Sequence, residues 1–515
     1  MVARKERFMS EKLSRQERRR AWRYAALIVI CLLLCGALIR LISGHGREAA
    51  CLPPTHAAVT EAAQGLDSIT IDAVFDPERK QLTATQVMTL RNPSGQALDN
   101  VTLRSYSGAY LSGETSPVAN DELFAASYGE RFSTGGLILD SAMINGEQAD
   151  YAWADEARTV LTLPADWPAD AEITVTLAYH VNIPDCGSRF GVQEGIFALG
   201  NVFPTLALWQ DGAWRAEPYV SIGDPFLTEC ANWTVRLTLP RGYTVASTGY
   251  AEPTFLADAA VYTLQAQAVR DFALVISDQF STAHGMADDV LIVACAREQS
   301  AARRMVKYAR QAIACYEAHY GEYVYPTLTL AEVAFPYGGM EYPRMVMIGS
   351  SVIAATDDSL EITVAHETAH QWWYAMVGSD SYYQAWQDES LCEYALMDYV
   401  GQVYGAAARE STAFDRIETA MRITIPRGVT PGSPIDYFQD LTEYSQVVYR
   451  RGAALWMALE TLMGKEQLDA ALRDYVLAHR FSQASREDLT LLLSQAAGQD
   501  LPPLMEDYLD TYIVN

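Results

Sequence analysis

After about residue 66, apolar and polar side chains alternate in short runs. Ile69, Ile71 and Ala73 occupy every second position, Val101 and Leu103 keep the same period, and further runs cover 159–163, 173–178, 233–239 and 261–264. A period of two turns one face of a strand inward. Turn signals separate the runs: Asn92-Pro93-Ser94-Gly95, Asn145-Gly146, Asp211-Gly212 and Arg241-Gly242. Short, evenly spaced strands of this kind predict an all-β domain, a sandwich or saddle, over 66–280. Near residue 297 the period changes. The stretch 297–320 carries Ala, Arg, Glu and Gln at helical spacing, one strand pair follows at 328–333 and 345–348, and the remainder reads as mostly helical. The pattern predicts an α+β multidomain protein whose second domain, 281–515, is mainly helical.

The N-terminal region follows neither period. From Tyr24 to Ile39 there is no charged residue, and Leu41 and Ile42 extend the run past Arg40. A run that is apolar on every face and close to the roughly 20 residues a bilayer requires predicts a transmembrane helix over 24–42. Trp22 and Tyr24 stand where interfacial aromatics would lie. Residues 1–23 hold nine Lys and Arg against three acidic residues. Such a basic arm stays in the cytoplasm, so the body is expected outside it, on a single-pass anchor. The small, polar segment 43–65, with Pro53-Pro54, reads as a stalk. No small-x-small site follows the apolar run, which favours an uncleaved anchor.

Composition narrows the choice of partner. The chain of 515 residues has a formal net charge of −26. With the arm at +6, the rest carries −32, a field that repels nucleic acid. Of the eight cysteines, Cys31 and Cys35 lie in the apolar run and none forms a C-x-x-C pair, so no thiolate metal site is visible. Cys186 and Cys230 fall in one predicted domain, and their spacing leaves a disulfide and two free thiols equally open.

The chemistry sits in 358–393. Asp358, with Glu361 three residues on, reads as a capping box opening a helix, and Gly378 as its stop. Within it is His366-Glu367-Thr368-Ala369-His370. Positions i and i+4 share a helix face, so His366 and His370 can bind one zinc ion, while Glu367 is turned aside, where it can take a proton from the attacking water. A catalytic zinc needs a third protein ligand. Glu389, after eighteen intervening residues on a helix starting near Asp388, supplies it. Alone, Glu389 would read as a solvated surface charge. Glu393, one turn further, is either an outer-sphere group or a structural polar residue.

This spacing resembles that of the gluzincin aminopeptidases, the membrane alanyl aminopeptidase and leukotriene hydrolase family. Gly338-Gly339-Met340-Glu341-Tyr342 is similar to the family's G-x-M-E-N exopeptidase motif, and Tyr444-Ser-Gln-Val-Val-Tyr449 to its catalytic-tyrosine segment. Gly200-Asn-Val-Phe-Pro204 fits the family's β-domain more loosely. The resemblance implies a thermolysin-like catalytic domain and a short two-domain form. It implies one zinc per chain on His366, His370 and Glu389, with Glu367 as general base and Tyr449 as oxyanion donor. Glu341 would bind the free α-amine of a peptide, beside Gly338, Gly339 and Met340. Tyr342 stands where the family has Asn, and the family's second amine-binding residue has no match by motif; Gln193 and Glu194 are the nearest polar residues. Two other readings share these residues: a zinc endopeptidase, and a catalytically silent ectodomain that binds peptides.

Overall fold

The computed structural model describes residues 53–118, 121–425 and 427–511. Residues 53–515 form one compact unit. The basic arm and the apolar run 24–42 lie outside the described residues, and among the described residues no helix is long and apolar enough to cross a membrane. The end of the segment read as a stalk is folded: Ala57–Ala63 is a helix whose His56 side chain accepts from Ala58 N, and whose Ala58 and Val59 are buried. Asn232 Nδ2 ties its end through Ala63 O at 2.8 Å. The sequence signal there was only small and polar, because two buried side chains suffice to dock so short a helix.

The β-rich part is built on an eight-stranded sheet. Its order is Thr254–Phe255, Ala259–Val269, Ala231–Pro240, Ser68–Asp76, Gln81–Arg91, Glu172–Asn182, Gly136–Ile144 and Glu147–Gln148. Strict alternation puts Ile69, Ile71, Ala73 and Phe75 inward. The inward run of the next strand includes Gln86, whose amide is satisfied by Pro204 O at 2.7 Å and by the Tyr179 hydroxyl at 2.8 Å. Ser68–Asp76 pairs in parallel with Ala231–Pro240, so this sheet is mixed. Two four-stranded sheets and one hairpin complete the region. A helix, Asp121–Tyr128, and a 3₁₀ turn, Tyr106–Leu111, interrupt what the alternation predicted to be all strand.

From Ser281 onward a five-stranded sheet takes over, ordered Ser281–Ala287, Val290–Ala296, Thr327–Val333, Met345–Gly349 and Gly339–Met340. Val290–Ala296 and Thr327–Val333 pair in parallel and are buried at every position, as strands covered on both faces must be. The helix Gln299–Tyr320 makes the crossover between them. Helices fill most of the rest of the described chain. Arg270, fully buried, binds it to the β-rich part. Its guanidinium donates to Thr228 O at 3.1 Å, Tyr374 O at 2.9 Å and Ser482 O at 2.5 Å. Gly378 is what lets it in, since a Cβ there would lie 2.3 Å from Arg270 Cζ. Gly378 is therefore not the helix stop the sequence suggested. The helix runs Ser359–Ala369 and ends at His370.

Candidate metal centre and cleft

The helix Ser359–Ala369 opens without the predicted capping box. Asp358 makes no side-chain cap; Ser359 N donates instead to Asp357 Oδ1 at 3.0 Å, and Glu361 accepts from the Tyr399 hydroxyl at 2.7 Å. The Tyr316 hydroxyl, from the crossover helix, donates to Ala365 O at 2.9 Å and fixes the rotation of the helix. One turn then separates His366 from His370. The helix Trp386–Tyr404 lies across it and brings Glu389 to both rings.

The three donors form a nearly equilateral triangle. His366 Nε2 lies 3.3 Å from His370 Nε2, and Glu389 Oε2 lies 3.4 Å and 3.2 Å from the two. Tetrahedral bonds of about 2.0–2.1 Å demand donor–donor edges of about 3.3–3.4 Å. The donors thus stand at the spacing a zinc-sized ion requires. Glu389 Oε2 is buried and accepts no hydrogen bond from any other described group. His370 donates Nδ1–H to Trp373 O at 3.1 Å, which leaves its Nε2 lone pair for a cation. His366 Nδ1 faces Glu393 Oε2 at 3.8 Å, and Glu393 is gripped by the Arg416 guanidinium. Glu393 is thus buried in full and held by Arg416, facing His366 beyond hydrogen-bond reach.

Glu389 Oε1 accepts the Tyr449 hydroxyl at 2.5 Å, and the Tyr449 ring stacks on His366 with centroids 5.6 Å apart. Tyr449 sits in a π-helical turn, Ser445–Arg451, which widens the helix where it meets the site. Burial pushes the Glu389 carboxyl up, but His370 and His366 overcome it and hold it at about 2. Glu367 is the opposite case. Burial and then Glu341 raise its carboxyl well above the usual range. Its Oε2 is buried with no hydrogen-bond partner among the described residues.

These groups line one cleft of about 360 Å³, together with Gly338, Gly339, Met340 and Glu341. Gly339–Met340 is the edge strand of the five-stranded sheet, antiparallel to Met345–Gly349. A Cβ on Gly339 would meet Glu367 Oε1 at 2.3 Å, so only glycine lets the strand pass the carboxylate. Glu341 is buried, and burial followed by Asp224 pushes its carboxyl up to about 8. One atom each of Glu341, Glu367 and His370 also lie within 4.8 Å of one another. Four buried carboxyl groups, Glu341, Glu367, Glu389 and Glu393, stand around the two imidazoles, and among the described residues only Glu393 has an arginine partner, so the site is suited to a metal ion and a second cation.

Asp224 and Arg189 were not legible in the sequence. Both line the cleft, ion-paired to each other, with Arg189 also over the Phe226 ring at 5.1 Å. They come from loops with no local signature, and only folding brings them to Glu341. Gln193 and Glu194 do not line the cleft; Glu194 pairs with Arg297 outside it. Tyr342 is also absent from the lining, since its side chain points into the β-rich part. Cys186, Cys230, Cys315 and Cys392 are buried free thiols, so Cys186 and Cys230 form no disulfide.

With this geometry in place, comparison with known families can be set beside it: the stretch 305–508 matches the Peptidase family M1 domain. Curated relatives of the M1 domain include leucine aminopeptidase 2-1 of Meyerozyma guilliermondii, 26% identical over 155 residues, which are 29% of this chain and 25% of that protein. Leukotriene A-4 hydrolase of Xenopus laevis is 28% identical over 193 residues, 36% of this chain and 30% of that protein. The matched stretches thus span less than a third of those relatives' own lengths. The fold is similar over a longer reach. Native yeast LTA4 hydrolase aligns with a TM-score of 0.63 at 16% identity, covering 87% of this chain and 68% of that one. The M1 zinc metallopeptidase of Deinococcus radiodurans aligns at 0.60 and 14% identity, covering 87% and 93%. A mutant of the latter has been solved bound to a Tyr-Ser-Ala substrate.

Proposed function

We propose that this chain is a zinc metallopeptidase that removes single residues from the free N-terminus of peptides. The observation that carries this reading is the placement of Glu341, buried in the same cleft as the metal triangle and Glu367. His366, His370 and Glu389 would hold one zinc ion per chain. When bound, that ion supplies Lewis acidity, lowering the pKa of water and polarising the scissile carbonyl. Glu367 takes the proton of the attacking water and returns it to the leaving amine. The Tyr449 hydroxyl, released from Glu389, donates to the developing oxyanion. Glu341, with Asp224 beyond it, takes the substrate ammonium and sets the first peptide bond against Glu367. The M1 relatives named as aminopeptidases, and the Deinococcus enzyme's peptide complex, support the substrate class.

The domain division at 280/281 and the extracytoplasmic location belong to the same reading. The basic arm and the uncharged run support a single-pass anchor over 24–42 with the cleft outside the cytoplasm. The test of function compares a peptide with its N-acetylated twin, with and without a chelator, and reads products by mass spectrometry. Stepwise loss of N-terminal residues from the free peptide alone supports the aminopeptidase. Equal cleavage of both, or internal cuts, establishes an endopeptidase, and no cleavage by zinc-loaded protein establishes a silent ectodomain.

A further inference from the structure

Tyr342 follows Glu341 directly, yet its ring leaves the cleft. It is fully buried, and its hydroxyl donates to Asn201 Oδ1 at 2.6 Å. Asn201 Nδ2 in turn donates to Asp271 Oδ2 at 2.5 Å, and Asp271 Oδ1 accepts Phe272 N at 2.6 Å. With the Asp271 carboxyl ionised, only the NH₂ group of Asn201 can meet it, which orients the amide. The amide oxygen must then face the phenol. Gly200 makes the contact possible, since a Cβ there would lie 2.0 Å from the Tyr342 hydroxyl. Asn201 and Asp271 are each only 4% exposed, so a lost partner could not be replaced by bulk water.

The same segment is held from its other side. Gln371, the residue after the metal-binding His370, is fully buried. Its Nε2 donates to Tyr342 O at 3.3 Å, and its Oε1 accepts Arg344 N at 2.7 Å. Arg344 has a φ of 60°, a left-handed conformation that a side chain adopts only where its surroundings impose it. The backbone that carries Glu341 is therefore fastened at one point to the turn that follows the metal helix and at another to the β-rich part. Glu341 stands between these two attachments and the edge strand.

We propose that Tyr342 is a positioning residue: its bond to Asn201, opposed by the Gln371 clamp, holds Glu341 at the distance from the metal ligands that fixes cleavage at the first peptide bond. This rests on the aminopeptidase reading above. A carboxylate that drifts by an ångström still attracts an ammonium but no longer sets the bond over Glu367. Phenylalanine at 342 would fill the same volume and remove only the donor, leaving Asn201 Oδ1 buried and unpaired.

The experiment uses the zinc-loaded full chain and three variants, Tyr342→Phe, Asn201→Ala and the double variant. Kinetic constants are measured on a free-amine peptide and its N-acetylated twin, alongside zinc content and thermal midpoint. Tyr342→Phe should lower kcat for the free-amine peptide about tenfold with KM little changed, the mark of lost positioning, and cut the preference for the free amine by the same factor. Zinc content should stay the same. Asn201→Ala should do likewise, and the double variant should lose no more than either alone, because one bond is removed twice. A lowered midpoint with the preference for the free amine intact in both single variants overturns the proposal, as that is what a merely structural contact would give. If Tyr342→Phe does not fold, the preference measured in Asn201→Ala decides alone. A wild type that cleaves both peptides equally removes the aminopeptidase reading and this proposal with it. A selective wild type with equally selective variants removes only this proposal.

Discussion

The Tyr449 hydroxyl donates to Glu389 Oε1 at 2.5 Å, while Oε2 of the same carboxylate faces both imidazoles. One carboxylate thus joins the metal site to the group proposed for the oxyanion. Tyr449→Phe should leave zinc content unchanged and lower kcat by about 10²–10³, the range for losing one oxyanion donor. Steady-state kinetics with metal analysis on the same sample checks this. Turnover near that of the wild type would make Tyr449 only an orienting partner of Glu389.

The triangle of donors predicts a three-ligand mononuclear site. Purified protein should carry about one zinc per chain and lose all turnover to a chelator, with recovery on adding zinc back. Glu389→Ala should bind zinc far more weakly. Glu367→Gln should keep the metal and lose nearly all turnover, since Glu367 is no ligand. Full metal occupancy in Glu389→Ala, by elemental analysis, would remove Glu389 from the set.

Arg416 reaches the metal only through Glu393 and His366. Arg416→Ala should free Glu393 from its orientation and weaken zinc binding about 10–100-fold, the usual cost of losing an outer-sphere partner. Competition against a chromophoric chelator measures it. Unchanged affinity would leave the Arg416–Glu393 pair as a packing feature.

Gly339→Ala tests the close passage of the edge strand. The added methyl would stand 2.3 Å from Glu367 Oε1, so the carboxylate or the strand must move. Turnover should fall on the order of 10²-fold with zinc retained, as expected for a catalytic group displaced by about 1 Å. Wild-type turnover in Gly339→Ala would show that Glu367 has room to swing away at no cost.

Arg270→Met should be destabilising and far less harmful to the site. It removes three hydrogen bonds, but Thr228 O keeps Gln483 Nε2 and Ser482 O keeps Gly378 N, so only the buried Tyr374 O is left unpaired, and an unpaired buried group costs about 1–3 kcal/mol. Thermal or denaturant unfolding should show a loss of about 1–3 kcal/mol. Activity per folded molecule at low temperature should persist.

The sequence by itself determined what depends on local period and spacing. Alternation in Ser68–Asp76 settles which face is buried, because a strand's side chains must alternate. Four-residue spacing puts His366 and His370 on one face, because a helix turn allows nothing else. Glu389, Glu341 and Tyr449 were found through motifs that resemble a family's, and each lines the cleft. The capping box and the Gly378 stop failed because cap residues and glycines have several uses, and neighbours decide among them. Asp357 took the cap, and Arg270 claimed the space at Gly378. Asp224, Arg189 and the Tyr342–Asn201–Asp271 chain were decided by tertiary structure alone. Their partners lie 35 to 141 residues apart and carry no periodic mark. A contact between loops depends on how whole sheets and helices stack, and no local rule of chain geometry encodes that.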